Sequence, residues 1–266
     1  MRDDRVVRDP AEGLTPDGII RTGASRARVA AAFEPVLVAA IEELDQLQAG
    51  SAELHLYGSV ATGMARVGES DVDLLLVGGS ECWARDLSAR LSARFADVCR
   101  GVEIGPAPRS AYFGDGDEAY GNRVFLRHYC VPLAGPDALR QPAPFPGDVR
   151  AARGFNGDIG IHLAQWRAGA LARQVARKTL VAAAGVVSIR LRIWTTDREI
   201  AARGWVEFEP ERRGELISLL AWAEDERVAS AEELGDVLSP DGIVSTVADR
   251  FAAEIGLWAD TIPSGR

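Results

Sequence analysis

Two aspartates, Asp71 and Asp73, stand at the entrance to the apolar run Val72–Val77. A Gly58-Ser59 pair closes the preceding alternating run of Leu54, Leu56 and Tyr57, and eleven residues separate Ser59 from Asp71. Side chains two apart on an extended chain leave the same face, so the two carboxylates face one another's surroundings. Like charges that close repel, and they persist where a cation lies between them. Gly58 allows the backbone to approach a ligand, and Ser59 offers a hydroxyl beside the amides that open a helix, a setting suited to phosphate. The chemistry these residues can do together is metal-assisted phosphoryl transfer, with a divalent cation on Asp71 and Asp73 and phosphates at Gly58 and Ser59. Either pair alone reads as a surface hairpin with a capping serine or two solvated aspartates. The two at this separation, each attached to an apolar strand, carry the stronger reading.

These residues need a strand, a short helix, a turn built on Gly63 and Gly68, and a second strand, all within Glu53–Val77. Upstream, Val29, Phe33, Val36, Val38, Ile41 and Leu44 predict a helix over residues 25–47, with Pro35 marking a kink or boundary. Downstream, Gly78-Gly79 and Ser80 introduce an amphipathic helix to about Val98, with Trp83, Leu87, Leu91 and Phe95 at four-residue spacing. Gly101-Val102-Glu103-Ile104 then reads as a strand whose glutamate faces opposite to its neighbours. Residues 110–135 read as a hairpin, with a return strand VFLRHYCVPL placed at an edge by Pro132. Pro142, Pro144 and Pro146 predict a stiff linker over 141–147, and helical patterns dominate beyond it.

The Gly58-Ser59 and Asp71-Val72-Asp73 pattern, with Gly63-Met64-Ala65-Arg66 and Glu69-Ser70 between, resembles the DNA polymerase β-like nucleotidyltransferase superfamily. It is similar in particular to the small prokaryotic enzymes that modify aminoglycoside or lincosamide antibiotics, and to the minimal members of toxin–antitoxin pairs. The resemblance is specific over residues 53–77, looser to about 140 and architectural beyond. It implies an α/β (α+β) fold: a mixed sheet flanked by helices in the N-terminal half and an all-α bundle in the C-terminal half. The expected division is an N-terminal arm (1–24), a catalytic domain (25–140), the linker (141–147) and a helical domain (148–266).

The resemblance also implies two Mg²⁺ ions and transfer of a nucleoside monophosphate, with ATP the expected donor and pyrophosphate leaving. Asp71 and Asp73 would hold the metals. Glu103 matches the third acidic residue that the superfamily takes from the next strand, and would complete the metal site and act as general base. Gly58, Ser59, Arg66 and Ser70 would contact the nucleotide. Lys178 is the single lysine among the 30 basic residues, and the resemblance implies a phosphate contact for it across the cleft.

The acceptor is read from charge. Net charge is −9, yet residues 150–198 carry nine basic and two acidic side chains, while residues 199–266 carry fifteen acidic and six basic. The acidic tail points to a small hydroxyl-bearing cation, aminoglycoside-like, and the overall acidity argues against sequence-independent nucleic-acid binding. Two other readings use the same motif: modification of a protein or tRNA end, and an NTP-binding sensor without turnover. No apolar run is long enough to span a membrane, and the first ten residues lack the apolar core of a signal peptide, so a cytoplasmic protein is expected. Cys82, Cys99 and Cys130 have no metal-ligand spacing and are expected to be buried reduced thiols. His55, His128 and His162 likewise show no metal spacing and read as structural. Trp166, Trp194, Trp205 and Trp222 read as core, and residues 1–24 as a loosely docked arm.

Overall fold

The computed structural model describes residues 9–46, 51–140, 143–166 and 171–258. Its first elements are two short paired strands, β1 (Gly13–Leu14) and β2 (Ile20–Arg21), followed by the helix α1 (Glu34–Gln46), with Pro35 at its opening turn. Proline is tolerated there because that N–H has no helical partner. The motif stretch folds as strand β3 (Glu53–Tyr57), helix α2 (Gly58–Thr62) and strand β4 (Val72–Val77). Helix α3 (Glu81–Arg94) begins at a Ser80 cap, and strand β5 (Val102–Ala107) follows it.

The four-stranded sheet is completed by β6 (Val131–Ala134), in the order β5-β4-β3-β6, so the Pro132 strand does lie at an edge. The β4–β5 pair is parallel and the other pairs are antiparallel, which makes the sheet mixed. Alternation divides its faces. Leu54, Leu56, Val72, Leu74, Leu76, Val102 and Ile104 pack with Leu37 and Ala40 of α1 and Leu87 and Leu91 of α3. The opposite face carries Glu53, His55 and Tyr57, then Asp73, Leu75 and Val77. Tyr112, Phe125, Leu126, Cys130 and Leu139 cover its apolar part.

The expected hairpin over 110–135 is not formed. Residues Asp117–His128 are a helix, α4, and only Val131–Ala134 of the return run is a strand. The aromatic and β-branched residues that read as a strand are instead the buried side of a helix. Gly121, which read as part of a turn, is used for close approach. A Cβ there would lie 2.3 Å from the Gly154 carbonyl oxygen, and one at Gly154 would lie 2.7 Å from the Gly121 backbone.

The C-terminal half is helical throughout its described residues: α5 (Val149–Asn156), α6 (Ile159–Trp166), α7 (Ala172–Leu191), α8 (Arg198–Phe208), α9 (Arg213–Ala223), α10 (Ala231–Leu238) and α11 (Ile243–Glu254). Asp197 caps α8, accepting from the amides of Glu199 and Ile200. Trp166, Trp194, Trp205 and Trp222 are buried in this core, as their spacing suggested. The helical pattern over 159–194 allowed a break at Gly169 or Gly185; Gly185 does not break α7, and Gly169 lies outside the described residues. No described helix is long and apolar enough to cross a membrane.

Two expectations are corrected here. Cys82 is exposed, while Cys99 and Cys130 are buried. The described part of the N-terminal arm is not loosely held. The Glu12 carboxylate accepts from the Tyr129 hydroxyl at 2.7 Å, the Thr196 amide and hydroxyl at 2.8 Å, and the Thr195 hydroxyl at 3.2 Å. Residues 143–147 of the linker pair with the arm as well, through Ile20 N–H to Phe145 C=O and Gly147 N–H to Gly18 C=O.

One contact of this segment sets a pH dependence. His128 Nε2 accepts the Phe145 N–H at 2.8 Å, which requires a lone pair on that nitrogen. Burial, with Arg127 and Arg140 adding, pulls the ring's pKa down to about 4 from 6.5. The unfolded chain therefore takes up this proton first as pH falls. Stability is full above about pH 6.5 and is lost progressively toward pH 4, by up to about 3 kcal/mol. Thermal melts across that window should show the loss. His128→Gln, whose amide oxygen can accept the same N–H, should flatten this part of the slope.

Candidate active site

The sheet face opposite α1 and α3 gathers the carboxylates. Asp73 on β4 is the register partner of Glu103 on parallel β5 and of Tyr57 on antiparallel β3. Asp71 immediately precedes β4, two positions before Asp73. The ends of β4 and β5 are fixed beside it by Val72 N–H to Gly101 C=O at 2.9 Å and Arg100 N–H to Ser70 C=O at 3.0 Å. Glu103 is exposed, and Asp71 and Asp73 are half-buried. The structure thus brings Glu103 beside Asp73 on one face of the sheet, with Asp71 just ahead of β4.

Gly58 completes this arrangement. Its φ is 73°, and a Cβ built on it would lie 2.2 Å from Asp73 Oδ2. Only glycine lets the chain turn from β3 into α2 directly against that carboxylate. The α2 helix has five residues and ends at Gly63, whose φ is 77°. Ser59 anchors the following loop through its carbonyl, which accepts from the Met64 and Ala65 amides. Gly68, at φ 78°, turns the loop back toward β4. Ser70 closes it: its hydroxyl accepts the Arg66 N–H at 2.9 Å and its own amide reaches the Arg66 carbonyl at 3.0 Å. The Arg66 guanidinium is exposed and 3.5 Å from Glu69.

Electrostatics tie these groups together. Burial pushes the Tyr57 phenol pKa well up, and the charges of Asp73 and Glu103 push it further. Arg100 pairs with Asp71, its Nε donating to Oδ1 at 3.1 Å and its Nη2 to Oδ2. That partner was invisible in the sequence, because Arg100 lies in a polar turn 29 residues away. Lys178 sits on α7, where its ammonium meets Asp158 Oδ1 at 2.5 Å and Asn156 Oδ1 at 3.3 Å. These partners belong to the helical half, and no described contact joins Lys178 to the carboxylate group.

Residues 37–89 match the family model of a nucleotidyltransferase domain. Over this segment the match supports the DNA polymerase β-like nucleotidyltransferase superfamily. The matched segment runs from α1 into α3 and includes Gly58, Ser59, Asp71 and Asp73, while Glu103 lies beyond it. No curated protein matches the chain. The domain makes the protein a nucleotidyltransferase, an enzyme that moves a nucleoside monophosphate from an NTP.

Two further features of the nucleotidyltransferase were not foreseen. A row of rings leads from Tyr57 into the helical half: Tyr57 meets Phe125 at 5.3 Å, Phe125 stacks on Tyr129 at 5.8 Å, and Tyr129 meets Phe155 at 5.8 Å. Phe125, Phe155, Asn156, Ser188 and Trp194 line a cavity of about 240 Å³ along that row. The second feature is a group of buried Glu53 and His55 with half-buried Asp137 whose ligand atoms could hold a metal ion. His55, read as structural and without metal-like spacing, therefore has metal-capable neighbours in space that its spacing did not show. Asp137 arrives from a loop 82 residues on, so spacing could not show it. The alternation Glu53-x-His55 on a face expected to be buried was the available signal.

Charge is also redistributed. Arg173 pairs with Asp225, Arg190 with Glu254 and Arg198 with Glu224, so the basic stretch and the acidic tail neutralise one another in part.

Proposed function

We propose that the enzyme transfers a nucleoside monophosphate, with ATP as donor, to a hydroxyl of a small acceptor, using Asp71, Asp73 and Glu103 as its metal-binding carboxylates. The observation that carries this reading is the register of Asp73 with Glu103, with Gly58 pressed against the Asp73 carboxylate. An all-oxygen donor set of carboxylates suits Mg²⁺, which prefers such ligands. When bound there, Mg²⁺ would supply charge stabilisation for the transferred phosphoryl group and the leaving pyrophosphate.

The chain's own groups divide the remaining work. Gly58 and Ser59 seat the β- and γ-phosphates, with Arg66 and Ser70 on the facing loop. Lys178 contacts the phosphates by exchanging Asp158 for them. Glu103, exposed at the strand edge, takes the proton from the acceptor hydroxyl. The acceptor oxygen bonds to the α-phosphorus as the bond to the pyrophosphate oxygen breaks.

The aromatic-lined cavity supports a small acceptor, since it admits a ring-sized group and not a folded partner. The acidic tail favours an aminoglycoside-like cation, although its pairing with arginines leaves less free charge than the sequence suggested. Mass spectrometry of acceptor pools with Mg²⁺ and each NTP tests this reading. The pools should span aminoglycosides, lincosamides, tRNA and cell protein. A gain of one nucleoside monophosphate on a small molecule, absent without Mg²⁺, is expected. A gain confined to tRNA or protein would overturn the small-acceptor reading, and nucleotide binding without a gain on any pool would favour the sensor.

A further inference from the structure

We propose that Glu53, His55 and Asp137 form a second metal site, structural in role and suited to a zinc-class divalent ion, apart from the carboxylates of the transfer site. Glu53 and His55 are both 0% exposed, on the covered face of β3. Glu53 Oε2, both ring nitrogens of His55 and Asp137 Oδ1 are buried without a hydrogen-bond partner. Buried polar atoms are almost always satisfied, so a convergence of such atoms calls for a ligand.

The distances fit an ion better than a direct contact. One donor atom from each of the three residues can be chosen so that all lie within 4.8 Å of one another. Glu53 Oε2 and His55 Nε2 are 3.4 Å apart. A charge-assisted hydrogen bond would be shorter, about 2.7–2.9 Å. Two ligands of a tetrahedral zinc, each about 2.0–2.1 Å from the ion, lie roughly 3.3 Å apart. Asp137 must close by about an ångström or more to join them, within reach of a half-buried loop side chain.

The neighbours favour zinc over magnesium or calcium. Arg109 holds the other Glu53 oxygen at 2.8 Å, with the Ala138 amide at 3.3 Å, which orients the carboxylate and leaves Oε2 directed at His55. Arg109 and Arg140 both turn positive charge toward the group. A hard cation bound through net negative charge is therefore disfavoured, and an ion that gains from an imidazole bond is preferred. The ion would tie β3 to the loop after β6, bracing the strand that ends at Tyr57 and Gly58.

The test uses the full chain, stripped with a chelator, reloaded with Zn²⁺ and freed of excess by gel filtration. Elemental analysis should find about one zinc per chain. The melting temperature should rise by roughly 5–10 °C at Zn²⁺ a hundredfold above its Kd, and Mg²⁺ should not reproduce the rise. Zinc should remain in Asp73→Asn and be lost, by tenfold or more in affinity, in Asp137→Asn and His55→Ala. Should His55→Ala fail to fold, Asp137→Asn decides, since that side chain is on a loop and only half-buried. No zinc on the wild-type chain overturns the proposal. So does zinc that survives Asp137→Asn, or that departs with Asp73→Asn instead.

Discussion

Asp73→Asn is expected to lower nucleotidyl transfer by roughly a thousandfold or more while shifting the melting temperature by no more than a few degrees. Asp73 occupies the centre of the carboxylate group, opposite Glu103 on one strand and Tyr57 on the other. Asparagine keeps its shape and an acceptor oxygen but removes the charge that would hold a cation. The fold should tolerate this, because Val72 and Leu74 on either side carry the packing of β4. Turnover of α-labelled NTP, followed with thermal melts of both proteins, separates the two effects. Wild-type rates in a folded Asp73→Asn would remove this residue from the chemistry.

Gly58→Ala should cost activity far more than stability. The new Cβ would lie 2.2 Å from Asp73 Oδ2 and 3.1 Å from its Cγ, so the carboxylate must turn away. Displacing a catalytic group by about an ångström costs on the order of a hundredfold in rate. The left-handed backbone adds roughly 1–2 kcal/mol against alanine, which lowers stability modestly. Gly68→Ala is the matched control. Its φ of 78° imposes a similar backbone penalty, but no atom lies within 4 Å of the added Cβ. Gly68→Ala should therefore lose similar stability and keep its activity. Equal losses of activity in the two variants would mean that backbone strain, and not the position of Asp73, explains the Gly58 effect.

The motif was readable because its physics is local. Alternation in β3, the apolar run of β4, three glycines and two aspartates two apart are all visible within twenty-five residues. That Glu103 faces away from the core was readable for a related reason, since a lone acid between Val102 and Ile104 on a strand must do so; its place beside Asp73 was implied only by the resemblance. What remained hidden depends on distant partners. Residues 124–128 read as the start of a strand because aromatic and β-branched residues crowd together there. Their helical burial against α5 rests on the Gly121–Gly154 approach, which no single-sequence pattern displays. Glu12 looked like one more polar residue in an arm, yet it bonds to Tyr129, Thr195 and Thr196. The charge asymmetry of the C-terminal half looked like a field for a ligand, and part of it is spent on internal ion pairs.

The most direct measurement is calorimetric titration of NTP into the wild-type enzyme and Asp73→Asn, with and without Mg²⁺, since it needs no knowledge of the acceptor. The account predicts saturable binding to the wild type that depends on Mg²⁺ and is weakened at least tenfold in the folded variant. Binding of equal strength in both proteins, or binding indifferent to Mg²⁺, would contradict the assignment of the Asp71, Asp73 and Glu103 face as the metal and nucleotide site.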